Sequence, residues 1–465
     1  MCVGRSLLPA TVVMLLVGAA GPAAATAAHG DDRPIRVPCD SIALAQAIIQ
    51  ANTQDGGTLS LARNCDYRLT SAFSGVDGLP AITEEIRIRG NDATIEREAT
   101  APFRIFDVAG PDGRLTLDDL TVKEGKLTAS GDTGAGILVG PGAVLVLDDT
   151  TVSDNASTDR GGGISNSGSV TLKHSQILRN TSNGEGGGIF NTGELRITDS
   201  RLSDNSTTTK GGALSTEGGT TTTEHSTFSD NSATQQGGAV YHNFGQDDYG
   251  DDTVFTGNHS AGDGGAIYNN DSMSLHDVTV KGNSSVNNGG GIGNNAWLVM
   301  DGGLVAENTT VSQGGGLWTN DTATVTGTQF RDNTVTGPNG KGGGLLNTSA
   351  LNLRGVRVTG NHTTAPASQG GGIYNTAGSP TTAPASQGGG IYNTAGSPTT
   401  PTTKGNLQLI DTKVTDNTSG NGTTGTNAGG VWTDTQFRVF RDSTITDNNP
   451  TNCKGSPITV NHCNN

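Results

Sequence analysis

Residues 184–205 read GEGGGIFNTGELRITDSRLSDN, and this stretch decides the fold of the chain. Three consecutive glycines lead into the aliphatic Ile189, and Asn205 closes the segment. The same outline recurs at intervals of about 25 to 28 residues, a spacing typical of proteins built from stacked repeats. The glycines that begin the repeats are Gly134, Gly161, Gly186, Gly211, Gly237, Gly264, Gly289, Gly314, Gly342 and Gly370.

Each repeat contains three short segments in which aliphatic and polar residues alternate, here GGGIFN, ELRITD and RLSDN. Alternation with a period of two is typical of β-strands and not of helices. Three short strands with tight corners in each repeat predict an all-β fold, a right-handed parallel β-helix. A leucine-rich repeat is disfavoured because its leucine pattern is absent and no helical segment recurs.

An aliphatic residue follows the glycines in every repeat, and we expect this column to stack inward as the core. The preceding glycines would then lie at the corner that enters the strand. A side chain there would collide with the neighbouring coils, about 4.8 Å away, and a positive φ is also expected. The aliphatic column comprises Ile137, Ile164, Ile189, Leu214, Val240, Ile267, Ile292, Leu317, Leu345, Ile373 and Val431.

The asparagine that closes each repeat forms a second column. Stacked amides can donate a hydrogen bond to one neighbour and accept one from the other, and they satisfy backbone groups at a turn. We therefore predict a buried asparagine ladder, in which the glycosylation sequons are not used. Its members are Asn155, Asn180, Asn205, Asn231, Asn258, Asn283, Asn308, Asn333, Asn361, Asn417 and Asn448.

A third column lies six residues before each ladder asparagine. Asp, His and Gly, the residues found there, tolerate the left-handed or bridge backbone that a corner requires. His174 and His225 resemble catalytic residues when each is taken singly, but their alignment with Asp and Gly indicates turn residues. The column comprises Asp149, His174, Asp199, His225, Asp252, Asp277, Gly302, Gly327, Gly355, Asp411 and Asp442.

The position after the aliphatic column carries most of the tyrosine and tryptophan of a protein that is only 4% aromatic. Successive residues of a strand point to opposite faces, so this position is expected to face outward. An exposed stripe of rings would suit stacking on a glycan or docking of a partner protein; the alternative is that loops cover the rings. The predicted binding residues are Phe190, Tyr241, Tyr268, Trp318, Tyr374 and Trp432.

The segment QDDYGDD is the densest acidic cluster of the sequence. It lies in a lengthened repeat, and we expect it to protrude. Asp247, Asp248 and Asp251 could bind calcium, which prefers oxygen ligands. Asp252 already belongs to the turn column and no basic residue is nearby, so a catalytic role is disfavoured. We expect no other cofactor.

The overall charge and the N-terminal segment constrain the location and the partners. A formal net charge of −16 disfavours binding to nucleic acid. Residues 1–28 have Arg5, an apolar middle and an alanine-rich end, which predicts a cleaved secretory signal peptide. No later segment has the apolar length of a membrane span. We expect an exported protein that is extracellular or on the cell surface, and a monomer.

The remaining cysteines lie at the two ends of the mature chain. We expect Cys39 to pair with Cys65, and Cys453 with Cys463, as local disulfides. Zinc is the rival interpretation, but neither couple has the spacing of a zinc site with a partner pair. Residues 29–80 are predicted to form an N-terminal cap, and 449–465 a C-terminal tail. In the cap, SIALAQAIIQAN reads as an amphipathic helix that covers the first coil, with Asp40 or Ser41 as N-cap.

The β-helix is expected to span residues 81–448, with one irregularity. The sequence TTAPASQGGGIYNTAGSP occurs at residues 363–380 and again, unchanged, at 381–398. Eighteen residues are too few for a coil. We therefore expect one copy within 363–398 to form a surface loop.

The repeats resemble those of the polymorphic outer membrane proteins of chlamydiae, which pair a GG[A/I] element with an F-x-x-N element. The nearest matches are GGALS with FSDN at Phe228–Asn231, and GGAVY with FTGN at Phe255–Asn258. Other repeats have Leu, Ile or Val in place of Phe. The resemblance covers about residues 134–448, and the N-terminal part is similar to secreted bacterial proteins with a pectate-lyase-like β-helix. The resemblance to the chlamydial repeats implies a surface β-helix but no particular activity.

The sequence therefore favours an exported, non-catalytic surface or matrix protein with an adhesive or scaffolding role. Its expected partners are a cell-wall or extracellular glycan, or a protein on a host or neighbouring surface. The alternative is a polysaccharide lyase or glycoside hydrolase that acts on acidic polysaccharide. An Asp cluster and a basic residue that converge in one groove would favour the enzyme.

Overall fold

The computed structural model describes residues 33–376, 391–394, 406–419, 431–433, 438–440 and 443–449. The chain divides into Met1–Arg33, of which only Arg33 is described, and Pro34–Asn465, which contains every element below. The predicted signal peptide, Cys453 and Cys463 therefore lie outside the described residues.

The described strands form a right-handed parallel β-solenoid with three sheets. Each strand pairs with the equivalent strand one coil away, so that Ile164, Ile189, Leu214 and Val240 lie in register. The predicted fold class is therefore confirmed. Between residues 106 and 363 the chain runs through the three sheets in the same order in each coil.

Sheet 1 holds the strands that follow the glycine corners. Its 13 described strands are Phe106–Val108, Ile137–Val139, Ile164–Asn166, Ile189–Asn191, Leu214–Glu217, Val240–Asn243, Ile267–Asn269, Ile292–Asn294, Leu317–Thr319, Leu345–Asn347, Ile373–Thr376, Ile391–Thr394 and Val431–Thr433.

Sheet 2 contains both the second and the third predicted strand of each coil. Its 27 described strands are Ile35–Val37, Gly57–Leu61, Asp66–Leu69, Glu85–Arg97, Arg114–Lys123, Val144–Asp148, Thr151–Ser153, Ser169–Lys173, Gln176–Leu178, Glu194–Thr198, Arg201–Ser203, Thr220–Glu224, Thr227–Ser229, Gln246–Tyr249, Val254–Thr256, Ser272–His276, Thr279–Lys281, Leu298–Asp301, Leu304–Ala306, Ala323–Thr326, Gln329–Arg331, Ala350–Arg354, Arg357–Thr359, Asn406–Ile410, Lys413–Thr415, Arg438–Phe440 and Thr444–Thr446.

Sheet 3 consists of two-residue strands that were not predicted; the first follows Gly125, and each of the others follows a ladder asparagine. Its 11 described strands are Lys126–Leu127, Ala156–Ser157, Thr181–Ser182, Ser206–Thr207, Ser232–Ala233, His259–Ser260, Ser284–Ser285, Thr309–Thr310, Thr334–Val335, His362–Thr363 and Thr418–Ser419.

The aliphatic column forms the core of sheet 1, and its described members from Ile137 to Ile373 are fully buried. The glycine corners before it have the two properties expected of them. Gly186 has a φ of 69°, a conformation that glycine adopts without steric cost. A Cβ on Gly187 would lie 2.4 Å from the carbonyl oxygens of both Gly212 and Ser206 in the next coil.

The asparagine ladder is confirmed from Asn155 to Asn448, and all its members are buried. Within it, the backbone N and the Nδ2 of each asparagine both donate to the Oδ1 of the next, at 2.9 to 3.1 Å. Each Nδ2 also donates to a backbone carbonyl, as Asn205 does to Ile177 O at 2.8 Å. Its central members, which lie in consecutive coils, are Asn180, Asn205, Asn231, Asn258, Asn283, Asn308 and Asn333.

The duplicated segment interrupts the ladder in sequence but not in space, because Asn361 bonds directly to Asn417, 56 residues later. In sheet 2, Ala350–Arg354 likewise pairs with Asn406–Ile410. Sheet 1 differs, because Ile391–Thr394 of the second copy pairs with Ile373–Thr376 and with Val431–Thr433. Ile391–Thr394 therefore extends sheet 1, whereas no full coil is described for this copy, and the surface loop stays a prediction. The rest of the second copy lies outside the described residues.

The N-terminal cap contains the predicted helix, Ser41–Thr53. The Asp40 carboxylate caps it by accepting from the backbone N of Ile42 and Ala43, at 3.2 and 3.3 Å. The helix buries Leu44, Ala47, Ile48 and Ala51. The predicted disulfide between Cys39 and Cys65 is present and ties the start of the helix to the first coils.

We predict that Asn231→Ala destabilises the solenoid by about 3 kcal/mol, because a buried donor or acceptor without a partner is costly. The substitution leaves Asn205 N and Asn205 Nδ2 without their acceptor and Leu202 O without its donor. Urea unfolding followed by circular dichroism measures the change. Asn320→Ala removes an exposed amide and should cost below about 0.5 kcal/mol; equal losses would contradict the ladder.

A second prediction concerns the glycine corners. Gly187→Ala should lower the free energy of unfolding by about 1 to 3 kcal/mol, because a methyl group forces the tightly packed coils apart. Gly250→Ala is the control, since its Cβ would meet nothing closer than Thr223 O at 3.3 Å. Thermal melts of both variants would contradict the steric argument if the two midpoints fell equally.

Candidate functional site

The predicted aromatic stripe lies on the outer side of sheet 1, but it is not exposed. Phe190, Tyr241, Tyr268 and Tyr374 are between 1% and 7% exposed, and Trp318 is half-buried. The prediction of solvent-facing rings is therefore wrong for the buried four. The reason is that side chains from the turn before each glycine corner fold over the rings, and that neighbouring rings cover one another. The side chain of Trp432 lies outside the described residues.

Basic side chains cover three of these rings. The Arg160 guanidinium lies 4.7 Å from the centre of the Phe190 ring, and Lys210 Nζ lies 4.3 Å from that of Tyr241. Lys341 Nζ lies 5.2 Å from the centre of the Tyr374 ring. Each cation reaches from one coil over the ring of the next, and such cation–π contacts are favourable.

A small charged cluster surrounds Tyr241. Lys210 Nζ donates to Tyr241 Oη at 3.1 Å and lies 3.6 Å from a Glu185 carboxylate oxygen. Glu185 also lies 3.5 Å from Arg160. The rings of Tyr241 and Tyr268 stack, with centres 5.8 Å apart and planes 8° apart. The cluster joins five successive coils through side chains alone.

The local environment keeps Lys210 and the tyrosines protonated. Burial lowers the pKa of Lys210, but the hydrogen bond to Tyr241 and the nearby carboxylates raise it above its ordinary value. Burial raises the pKa of Tyr241, and it raises that of Tyr268 to about 12, with Asp263 and Tyr241 adding to the effect. Burial also raises the pKa of Glu217, next to this cluster. A protonated amine and protonated phenols do not act as general bases.

The predicted calcium cluster is not assembled. Asp247 is fully buried, Asp248 is half-buried and Asp251 is exposed. The cause is the alternation of the strand Gln246–Tyr249, in which neighbouring carboxylates point to opposite faces. Asp247 lies in register with Thr221 and Met273, at a position that is aliphatic in other coils.

An inner amide ladder, which was not predicted from the sequence, occupies the third position of the sheet 1 strands. Asn166 Nδ2 donates to Asn191 Oδ1, and Asn269 Nδ2 to Asn294 Oδ1, both at 2.7 Å. His242 occupies this position between Thr216 and Asn269. The column was visible as Asn two residues after the aliphatic position, so alignment alone could have found it.

His242 and Asp247 form a fully buried pair inside the solenoid. His242 Nδ1 lies 3.2 Å from Asp247 Oδ2, and Tyr249 Oη donates to the same oxygen at 3.3 Å. Within the described structure, His242 Nε2 and Asp247 Oδ1 are buried without a hydrogen-bond partner. Burial lowers the pKa of His242, but the Asp247 carboxylate, with Asp271 and the Gly245 backbone, raises it above 6.5 overall.

The described part of the chain contains one group of potential metal ligands, whose ligand atoms lie within 4.8 Å of one another. It consists of Asp148, Asp149 and His174. His174 Nδ1 lies 3.5 Å from Asp148 and Nε2 lies 3.9 Å from Asp199. Asp149 and His174 are exposed, and exposed ion pairs of this kind contribute little. We assign no site to them.

The turn column is confirmed, since its described members all have a positive φ, including 48° for His174 and 49° for His225. A second column of this type was missed. The residue directly before each ladder asparagine is also left-handed, as in Asp154 with a φ of 57° and Arg179 with 51°. The exposed Arg179 and the half-buried Asp154 form an ion pair between adjacent coils, at 2.7 Å.

Two family models match parts of the chain. Residues 109–258 match the right handed beta helix region, and residues 252–270 match the Chlamydia polymorphic membrane protein repeat. None of the curated proteins matches the chain, and no solved structure does. No helix in the described residues has the length and apolarity needed to cross a bilayer. The two matches and the solenoid support a surface-type β-helix protein.

We predict a pH dependence of stability from His242. Folding raises the pKa of His242, so the His242–Asp247 pair stabilises the fold fully when the pH is below the pKa of the unfolded state, near 6.5. This contribution is lost as the pH rises through the pKa of His242 in the folded state. His242→Asn introduces the residue that the next coil carries as Asn269, and it should remove this slope. The matched control is His276→Asn, since His276 is half-buried on the outer face of sheet 2 beside Asp248, and it should retain the slope. Urea midpoints across this pH range measure the effect, and an unchanged slope in His242→Asn would contradict it.

Proposed function

We propose that this protein is an exported, non-catalytic β-helix that acts as a rigid adhesive scaffold at the cell surface or in the extracellular matrix. The observation that carries the proposal is the continuous buried amide ladder from Asn155 to Asn448, which fixes successive coils to one another. Such a frame holds exposed side chains at regular intervals. Residues 1–28 would direct export.

The Cys39–Cys65 disulfide supports an oxidising compartment, because such bonds persist mainly outside the cytosol. The repeat match to a family described as a membrane protein supports a surface location. Adhesion would use the outer flank of sheet 1 and its corners. The buried rings from Phe190 to Tyr374 would support that flank and not stack on a ligand directly.

A polysaccharide lyase or glycoside hydrolase is the alternative. The contact between Glu185, Lys210 and Tyr241 is the feature that favours it, since it brings a carboxylate, an amine and a phenol together. The raised pKa values of Lys210 and Tyr241 argue against either acting as a base near neutral pH. The Asp residues predicted to converge are separated, as described above.

We predict that the purified mature chain sediments with matrix or cell-wall material from producing cells and releases no unsaturated or reducing sugar from polygalacturonate. Both assays use the same preparation. Product formation that is lost in Lys210→Ala, but kept in the exposed control Lys173→Ala, would establish the enzyme instead. Deletion of residues 2–28 should leave the protein inside the cell; export without them would contradict the signal peptide.

A further inference from the structure

Two exposed aromatic side chains lie on one corner of the solenoid, between sheet 1 and sheet 2. Phe244 is 64% exposed and Trp297 is 47% exposed, whereas the third exposed aromatic residue of the described chain, Phe73, lies in the N-terminal cap. Neither belongs to the predicted aromatic stripe. An exposed large apolar side chain carries a solvation cost, and a pair of them on one corner suggests a contact surface.

An outer amide ladder fixes the spacing of these two residues. Asn270 Nδ2 donates to Asn243 Oδ1 at 2.7 Å, and Asn295 Nδ2 donates to Asn270 Oδ1 at 2.8 Å. Phe244 directly follows Asn243, and Trp297 follows Asn295 by two residues. They therefore lie two coils apart, about 10 Å along the axis at the spacing of neighbouring strands.

The backbone holds Phe244 in a conformation that a bulky residue rarely adopts. Its φ is 57°, in the left-handed region. Gly218 N donates to Phe244 O at 2.6 Å, and Gly245 N donates to the Asp271 carboxylate at 3.1 Å. Glycine would suit this position better, so the phenyl ring is present at a cost in stability and is directed to solvent.

Trp297 is held as firmly, by two hydrogen bonds to its carbonyl oxygen. Met273 N and Asn269 Nδ2 both donate to Trp297 O at 3.1 Å. These bonds fix the backbone from which the exposed ring projects. Both rings are thus mounted on the rigid frame and not on long loops.

Most polar groups of this corner are uncharged, and at its edge the Glu217 side chain accepts from Asn243 Nδ2 at 3.0 Å. Residues 243–246, 270–272 and 295–297 carry amides, hydroxyls and one ionisable side chain, Asp271. The carboxamides of Asn243, Asn270 and Asn295 are half-buried, and Gln246 is exposed. Amides both donate and accept, which suits sugar hydroxyls, whereas the Asp271 carboxylate repels a polyanion.

We propose that Phe244, Trp297 and the amides between them bind an extended neutral polysaccharide chain along the solenoid axis, with sugar rings stacked on the two aromatic side chains. The two-coil interval suits alternate sugars of an extended β-linked chain. This inference rests on the adhesive function proposed above and names its ligand as neutral and not acidic.

The experiment measures binding of the full mature chain to cellulose, chitin and an insoluble β-1,3-glucan, with polygalacturonate as the acidic polymer. The wild type should bind at least one neutral polymer and not the acidic one. Phe244→Ala and Trp297→Ala should each weaken binding about tenfold, the loss expected for one stacking contact. Val286→Ala with Val311→Ala is the matched control, because both are exposed apolar residues in coils of the same region; it should bind as the wild type does.

Phe244→Gly separates binding from folding. Because glycine favours the left-handed backbone, this variant should melt at or above the wild-type temperature and yet bind as weakly as Phe244→Ala. The inference would be overturned if the Phe244→Ala, Trp297→Ala double variant still bound neutral polymers as the wild type does. It would also be overturned if the wild type sedimented with matrix but bound none of the neutral polymers. Loss of matrix sedimentation by the wild type itself would overturn the adhesive function instead.

Discussion

The in-register stacking of asparagine amides is the interaction on which the rest of the structure depends. Each Oδ1 accepts from the backbone N and the Nδ2 of the preceding coil, and this requires every coil to return to the same place. The corners must then turn tightly, which explains the glycines and the left-handed Asp residues beside each strand. A buried amide without these partners would cost more than the ladder contributes per coil.

The columns of stacked residues could be predicted because residues that stack in a solenoid recur at a regular interval in its sequence. The aliphatic, asparagine and turn columns are all correct for that reason. Exposure could not be predicted in the same way, because alternation along a strand tells which face a side chain takes and not what covers it. Arg160 and Lys210 cover rings one coil away, and nothing in their own repeats indicates that reach.

The burial of residues that depart from the repeat is harder to predict than the burial of the repeated columns. Asp247 was expected to protrude because its segment is lengthened, but the extra length lies on either side of the strand and leaves its register unchanged. Part of that extra length is Phe244, which places a ring on the corner. Comparison of Gln246–Tyr249 with the aligned strand Ser169–Lys173 would have indicated the burial of Asp247. The stacked columns are therefore general to the fold, whereas the features specific to this chain lie at residues that depart from the repeat: Phe244, His242 and Asp247.

Paired cysteines test the stacking most directly. Gln176 and Arg201 are register partners in adjacent coils, so Gln176→Cys with Arg201→Cys should form a disulfide under mild oxidation, within the Cα separation that such bonds allow. Thr227 is the partner of Arg201 in the following coil, and Gln176→Cys with Thr227→Cys should stay reduced at about 10 Å. Mass spectrometry of the oxidised variants should find the first bond and not the second. Equal or reversed yields would show that the coils do not stack in this register.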